Sequence, residues 1–466
     1  MKLLVWALAV FLFSGAEAAA DPGAVLIRDV RVVDARGDQG THDLLIAEGR
    51  IAALDPAQVP QGTQVLDGEG KTVVPGLVDS HVHVTMAPTQ AFRTESDEAL
   101  WERHAMHLRA LLAWGVTTVV DPGISLEDAK GVRALQTRSP SPEVIFVGPL
   151  LGPTGGYPSA VVPGLLGVNS RSQVEEKMDA FMVLDPVGVK VTMEQGVFYK
   201  IWPLHTTEMR AAIMEEAASR ELPLYMHAMT PKMTRLALTM KPRALVHAPQ
   251  QGDDRLVDEV ARSGAYVVST LDILGAGRLM WHPEELDDPR IALTVPQDEI
   301  DAARSPEIRE AFADVFGHTL APEMPEWVLW LGQRLTFNEQ YFQSRYRQAR
   351  DVITQLHEAG VPLVVGSDSA GWPIFPYLLH GRSTHVEMGL LSDAGLTPAD
   401  VLTAATLTPA RMLGLEAEIG TVEVGKRADL LVVSGDPLQD VGALGYPEWV
   451  IRAGEVRTPQ GWMSEP

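Results

Sequence analysis

The chain contains no cysteine. Disulfides, thiolate metal sites and cysteine nucleophiles are thereby excluded, and any bound metal must rest on histidine, carboxylate or a modified lysine. Positive charge is also scarce. Lys and Arg number 38 against 61 Asp and Glu, for a formal net charge of −23. A basic footprint for nucleic acid is missing, and a negative surface repels phosphates and anionic lipid. Nucleic acid is therefore not an expected partner. No internal repeat and no low-complexity segment is visible. Beyond the first residues no apolar run is long enough to span a bilayer of roughly 30 Å, so stable membrane insertion is not expected.

What is present is a chain of 466 residues, 46% of them hydrophobic. It can bury a large core, and its length suits an eightfold β/α barrel plus a small accessory domain. The N-terminus has the layout of an export signal. Lys2 precedes an apolar run from Leu3 to Phe13, and Ser14-Gly15-Ala16-Glu17-Ala18-Ala19-Ala20 supplies an A-x-A pattern. Residues 1–20 read as a signal peptide, with the mature chain beginning near Ala19 to Asp21. The expected location is exported, either periplasmic or secreted.

Both ends of the remaining chain are strand-rich. Ala24 to Ile27 and Val30 to Val33 read as strands, and Asp43 to Ile51 as a hairpin turning at Glu48-Gly49. Ala428 to Val433 and Trp449 to Gly454 have the same texture. Between them, apolar runs at 77–83, 116–120, 144–148, 187–193, 223–227, 244–247, 265–269 and 362–367 alternate with amphipathic stretches at 98–114, 172–184, 207–220 and 396–413. Such alternation predicts a parallel sheet covered by helices. The expected fold class is α/β: a (β/α)8 TIM barrel with a small β-sandwich domain formed from both termini. Residues 21–76 and 416–466 would build the sandwich. Residues 77–415 would build the barrel, with a helical insertion at about 270–361 that contains a long helical stretch near 325–359. Insertions of this size over a barrel mouth often act as lids.

Four of the apolar runs end in metal-binding residue types. One closes with Asp79-Ser80-His81-Val82-His83, where strand alternation puts His81 and His83 on one face. Others end in His227, in His247 and in Ser367-Asp368. In a barrel the strand C-termini meet at one mouth, where active sites are built. Imidazoles and a carboxylate gathered there suit a first-row divalent metal. The fourth strand adds Lys190, Thr192 and Glu194 on one face. A carbon dioxide adduct of Lys190 would be an anionic bridge between two metals, Glu194 would supply a carboxylate unmodified, and no bridge at all is the third alternative.

With these motifs in view, the chain resembles the amidohydrolase superfamily, in its imidazolonepropionase-like and Xaa-Pro/Xaa-Arg dipeptidase-like branch. The resemblance spans about residues 24–455. It is carried by Pro75 to His83, by Ala113 to Asp121, by Leu396-Thr397-Pro398 through Ala404-Ala405-Thr406-Leu407-Thr408-Pro409-Ala410-Arg411, by Gly420 to Leu430, and by Gly435-Asp436-Pro437-Leu438. Two segments depart from the family pattern. Thr154-Gly155-Gly156-Tyr157 stands where relatives often end Gly-Gly-His, and His247 lies in Val-His-Ala-Pro rather than Glu-His-Gly.

The resemblance implies a binuclear metal hydrolase of a C–N bond in an amide, peptide or cyclic amide. Its metal set would be His81, His83, Lys190, His227, His247 and Asp368, holding two divalent ions, zinc by expectation, with Lys190 carboxylated at Nζ. His81, His83 and Asp368 would hold one ion and His227 and His247 the other. A metal-bridging hydroxide would attack the carbonyl, and Asp368 would carry the proton to the leaving nitrogen. Candidate contacts to a small-molecule substrate are Tyr157, Tyr199 with Lys200, and Arg382 with His385. His104 and His107 read as surface or packing residues. An esterase, lactonase or phosphotriesterase would use the same machinery, and a silent binding protein is the remaining alternative. Homo-oligomerisation is left open.

Overall fold

The structure is a computed structural model that describes residues 23–86, 96–159, 167–196, 202–275, 277–320, 325–336, 338–371 and 377–464. The expected signal segment and Tyr199 with Lys200 lie outside the described residues.

The chain opens with β1 (Val25–Asp34), β2 (Gly37–Ala47), β3 (Arg50–Leu54), β4 (Gln64–Asp67) and β5 (Thr72–Pro75). The two strands expected at 24–33 are one strand. Its pairing with β2 shifts register between Ile27 and Val30, and Asp29 takes up the extra residue with φ of 50°. The β2–β3 hairpin turns at Glu48-Gly49 as the sequence indicates, with φ of 53° and 73°. Two positive values match the turn that follows the natural twist of paired strands.

Nine short parallel strands follow: β6 (Leu77–Asp79), β7 (Val116–Asp121), β8 (Glu143–Phe146), β9 (Leu150–Leu151), β10 (Val189–Thr192), β11 (Leu224–His227), β12 (Ala244–Val246), β13 (Tyr266–Val268) and β14 (Leu363–Val364). Each of the eight expected runs is represented, and β9 prolongs the third. They run β6-β7-β8 in one ladder and β9 to β14 in sequence in another. Backbone bonds join the two ladders on both sides. Val187 N–H donates to Phe146 and Gly148 N–H to Gly188, while Ser80 N–H donates to Val365 and Asp368 N–H to His81. The strands are buried nearly throughout, as parallel strands covered on both faces must be.

The C-terminal part supplies β15 (Leu430–Val433), β16 (Pro447–Arg452) and β17 (Glu455–Arg457). These enter the N-terminal sheet, because β15 pairs antiparallel with β5 from Leu430↔Pro75 to Val433↔Thr72. The described strands of the two ends form one sheet, ordered β17-β16-β15-β5-β1-β2-β3 with β4 beside β1. It bends back on itself, since Ile51 N–H donates to Lys426 and Ala428 N–H to Gly49. Val25, Ile27, Val32, Ile51, Leu430 and Ile451 fill the space inside the bend.

Helices between the parallel strands begin where the sequence offers a cap. Ser96, Ser125, Ser170, Thr206, Thr230 and Asp253 each accept a backbone N–H in the first turn. The stretch expected as one helix at 396–413 is two, Pro398–Ala404 and Leu407–Leu413. A continuous helix would drive Pro409 against the carbonyl of Ala405; the break at Thr406 moves Pro409 into a first turn. The long stretch near 325–359 likewise divides into Glu326–Thr336 and Glu339–Glu358, the second capped by Asn338.

The insertion is docked by charge. Glu299, on the helix Gln297–Arg304, meets His107 Nε2 at 3.0 Å and Arg103 Nη1 at 2.9 Å. Arg103 and His107 belong to the helix Asp97–Ala113, and His107 stacks on His380 with ring centroids 4.5 Å apart. His104 and His107 are therefore packing residues beneath the insertion, and neither lies on the surface. No helix among the described residues is long and apolar enough to cross a membrane.

The seam between the two layers is tight at Gly115, just before β7. Its φ is +83°, and a Cβ there would lie 2.1 Å from Leu431 Cδ2 on β15. Gly115→Ala should cost about 3 kcal/mol from overpacking plus left-handed backbone strain. Urea unfolding should show a lower midpoint at unchanged slope.

Candidate metal centre

The parallel strands deliver their polar ends to one place. His81 and His83 continue β6, His227 ends β11, His247 follows β12, and Asp368 lies just past β14. His81 Nε2 and His83 Nε2 are 3.3 Å apart, and each is 3.2 Å from Asp368 Oδ1. The His247 ring centroid is 4.7 Å from that of His81 and 4.6 Å from that of His227. Lys190 sits on β10, paired with Tyr225 two residues before the Thr192↔His227 pair. All five predicted imidazole and carboxylate groups are thus gathered, with Lys190 among them.

Burial sets the electrostatics. Relative exposures of His81, Lys190, His227 and His247 are 1%, 4%, 4% and 5%. Loss of water pushes the Lys190 ammonium down to about 7, against the pull of the Asp368 and Asp121 carboxylates. Burial, and then the positive charge of Lys190 and neighbouring imidazoles, holds His81, His227 and His247 well below their usual range. His83 differs. Burial opposes its charge too, but Asp368 and Asp121 together raise it.

The residues fit a divalent metal. His81, His83 and Asp368 present ligand atoms that all lie within 4.8 Å of one another. His227 Nε2 is buried with no hydrogen-bond partner among the described residues, which is costly for a polar atom unless a ligand occupies it. His247 Nδ1 is hydrogen-bonded to Thr270 Oγ1 at 2.9 Å, which leaves Nε2 free to ligate. Neutral imidazole and carboxylate are the donors that first-row divalent ions accept.

Two ligand positions carry backbone strain. His247 has φ of 79° and Asp368 φ of 54°. Side chains disfavour this region, and such positions cost about 1–3 kcal/mol each. Gly371 gives Asp368 room, since a Cβ there would lie 2.5 Å from its carboxylate oxygen Oδ1.

A ring of buried partners fixes the ligands. Asp79 accepts the N–H of Ser367 at 3.0 Å, the hydroxyl of Thr384 at 2.6 Å and the N–H of His81 at 3.2 Å. It staples the His81 segment to the Asp368 segment. Asp121, at the end of β7, accepts the N–H groups of Val84 and Gly123 and stands 3.8 Å from His83 Nδ1. Asp121 and Thr270 are functional candidates that sequence reasoning missed. Asp121 bore the same mark as the histidines, a polar residue ending an apolar run; Thr270 bore none.

The expected substrate contacts divide. Tyr157 is at the centre, its ring 4.7 Å from that of His227 and its carbonyl accepting Thr192 Oγ1 at 2.6 Å. Arg382 is held elsewhere, by Glu285 of the insertion at 2.8 Å. His385 is within 2.7 Å of the Trp114 carbonyl through Nε2.

Comparison with known proteins agrees with this geometry. The amidohydrolase family profile, "Amidohydrolase family", matches residues 72–456. A dihydroorotase of Thermus aquaticus is 47% identical over 120 residues, but that match spans only 25% of either chain. An imidazolonepropionase of Alkaliphilus metalliredigens is 22% identical over 487 residues, covering 93% of each chain. Among solved structures, a Xaa-Pro dipeptidase with methionine bound in its active site superposes with a TM-score of 0.71 at 20% identity. That superposition covers 93% of this chain and all, 100%, of the other. The chain belongs to the amidohydrolase family, whose members act on carbon–nitrogen bonds, and its likeness lies with the imidazolonepropionase-like and Xaa-Pro dipeptidase-like branch.

Proposed function

We propose that this chain is an exported, binuclear metal-dependent hydrolase that cleaves an amide, peptide or cyclic amide bond of a small molecule. The observation that carries the reading is the convergence of four imidazoles and one carboxylate around a buried lysine. The scaffold we assign is a closed (β/α)8 barrel over residues 77–415, with a β domain from residues 21–76 and 416–466. Backbone bonds across both seams of the parallel ladders support closure, and the bend of the terminal sheet supports a sandwich-like domain. The apolar N-terminal run supports export.

His81, His83 and Asp368 would hold one ion, and His227 and His247 the second. Lys190 lies between the two groups. A cation there would oppose metal binding; its burial favours the neutral amine, which would add to carbon dioxide through Nζ and release one proton to solvent, leaving an anionic carbamate to offer to the ions. Two divalent ions, zinc in our assignment, would supply Lewis acidity and lower the pKa of bound water to about 7. Asp368 accepts the proton released as the carbonyl is attacked and returns it to the leaving nitrogen. Thr270 keeps His247 in one tautomer, and Asp121 orients His83. Tyr157, whose hydroxyl is raised by burial and by the negative charges of Asp368 and Glu194, stays protonated and donates to a substrate oxygen. The two departures from the family pattern noted above, at Tyr157 and around His247, both lie in this wall.

His227→Ala should abolish hydrolysis of a dipeptide and N-acyl amino acid panel and lower bound metal by elemental analysis, with circular dichroism unchanged. Full activity in that variant, or in metal-stripped protein, would refute the assignment. Thr270→Val keeps the shape of the side chain but removes its hydroxyl. Metal affinity should weaken by about 10–100-fold, measured by competition with a chelator; unchanged affinity would remove Thr270 from the centre.

A further inference from the structure

Beside the metal centre lies a second group of side chains that metal binding does not use. We propose that Glu194, Tyr157 and Trp202 form a subsite for a cationic nitrogen, so that the preferred substrates carry a free ammonium close to the scissile bond. The proposal rests on the hydrolase reading above and narrows its substrate class.

Glu194 lies two residues beyond β10 and is 4% exposed. Its Oε1 accepts the N–H groups of Gln195 at 2.9 Å and Gly196 at 3.0 Å, so the carboxyl group is fixed. Its Oε2 has no hydrogen-bond partner among the described residues, and the Met229 N–H is the third backbone donor near the carboxyl group. A buried carboxylate oxygen left open is costly, and a cationic donor is the group that relieves it. Burial alone pushes this carboxyl group up, and an arriving positive charge acts in the opposite direction. Glu194 is not one of the three residues, His81, His83 and Asp368, whose ligand atoms cluster tightly enough to share one ion. The nearby Lys232 is spent on Gln195 Oε1 at 3.1 Å.

Two aromatic rings complete the subsite. The Trp202 backbone N–H donates to the Gln195 carbonyl at 3.4 Å, which ties its segment of chain to the one that carries Glu194. The Trp202 and Tyr157 ring centroids are 5.2 Å apart at 40°. Tyr157 feels the charge of Glu194 on one side and Asp368 on the other, and its ring is 4.7 Å from that of His227. Aromatic faces beside a buried carboxylate are the chemistry that recognises an ammonium. Only one ring separates this subsite from a metal ligand. The nitrogen it takes is therefore a few atoms from the cleaved bond, as the α-amino group of an aminoacyl amide or dipeptide is. An N-acylated counterpart has no charge to offer there.

The test uses full-length zinc-loaded protein and two metal-seeking probes, leucine hydroxamate and N-acetylleucine hydroxamate, titrated by calorimetry. The wild type should bind the free-amine probe about tenfold tighter, the scale of one charge-assisted contact. In Glu194→Gln, which keeps the side-chain shape, that ratio should fall to near one at unchanged zinc content. A wild-type ratio of one or below, or a ratio preserved in the variant, overturns the subsite while leaving the hydrolase reading intact. If neither probe binds the zinc-loaded protein, the hydrolase reading falls and the subsite falls with it.

Discussion

Four imidazoles and a lysine crowd into a dry space with two carboxylates, and few of them satisfy one another. Burial and mutual repulsion hold His81, His227 and His247 neutral, and Lys190 is driven down to about 7. Neutral imidazoles with outward lone pairs are poor partners for each other and good ones for a cation. The same crowding that is unfavourable in the protein alone suits the centre to a divalent metal, because metal binding needs deprotonated ligands and burial already disfavours the protonated forms of His81, His227 and His247. The rest of the fold can be understood as what keeps these groups from moving apart.

That restraint comes from backbone and from buried carboxylates, not from the ligands. Asp79 ties the first and last parallel strands through Ser367, His81 and Thr384. Each parallel strand contributes only a few residues, so small shifts in register would displace a ligand, and the hydrogen bonds across both seams forbid such shifts. The strain at His247 and Asp368 is tolerable only within so fixed a frame. Support reaches farther out as well. His380 Nε2 lies 3.3 Å from the His83 carbonyl, His380 stacks on His107, and His107 is held by Glu299 of the insertion. The insertion is thus connected by contacts to the segment that carries His83.

Much of this was legible in the sequence because parallel strands announce themselves. They are short apolar runs, and a histidine or aspartate ending one has few reasons to be there except the site. That logic singles out His81, His83, His227, His247 and Asp368, which the structure gathers in one place, and it applies equally to Asp121, at the end of β7. Thr270 left no trace, since its role depends on the orientation of a ring 23 residues away. The helix at 396–413 was drawn whole because its apolar pattern runs through Thr406, and periodicity does not register the clash that Pro409 would cause. His104 and His107 looked like surface or packing residues because nothing local tells that the insertion covers their face.

Arg382 shows the limit most clearly. Its position after the last parallel strand made it a reasonable partner for a substrate carboxylate, but Glu285, 97 residues earlier, takes it instead. An arginine so paired is expensive to release, because freeing it would leave Glu285 and the nearby Asp272 without their positive partner. An acceptor oxygen without a partner among the described residues stands at Glu194, two residues beyond the strand that carries Lys190. If Lys190 becomes a carbamate, the face that holds both residues turns from mixed to anionic. Two divalent ions would more than offset a carbamate and the Asp368 carboxylate, so what stays open is a local contact at Glu194 Oε2 and not a net charge. A positive nitrogen of the substrate would meet that oxygen favourably, and a carboxylate would be repelled by it.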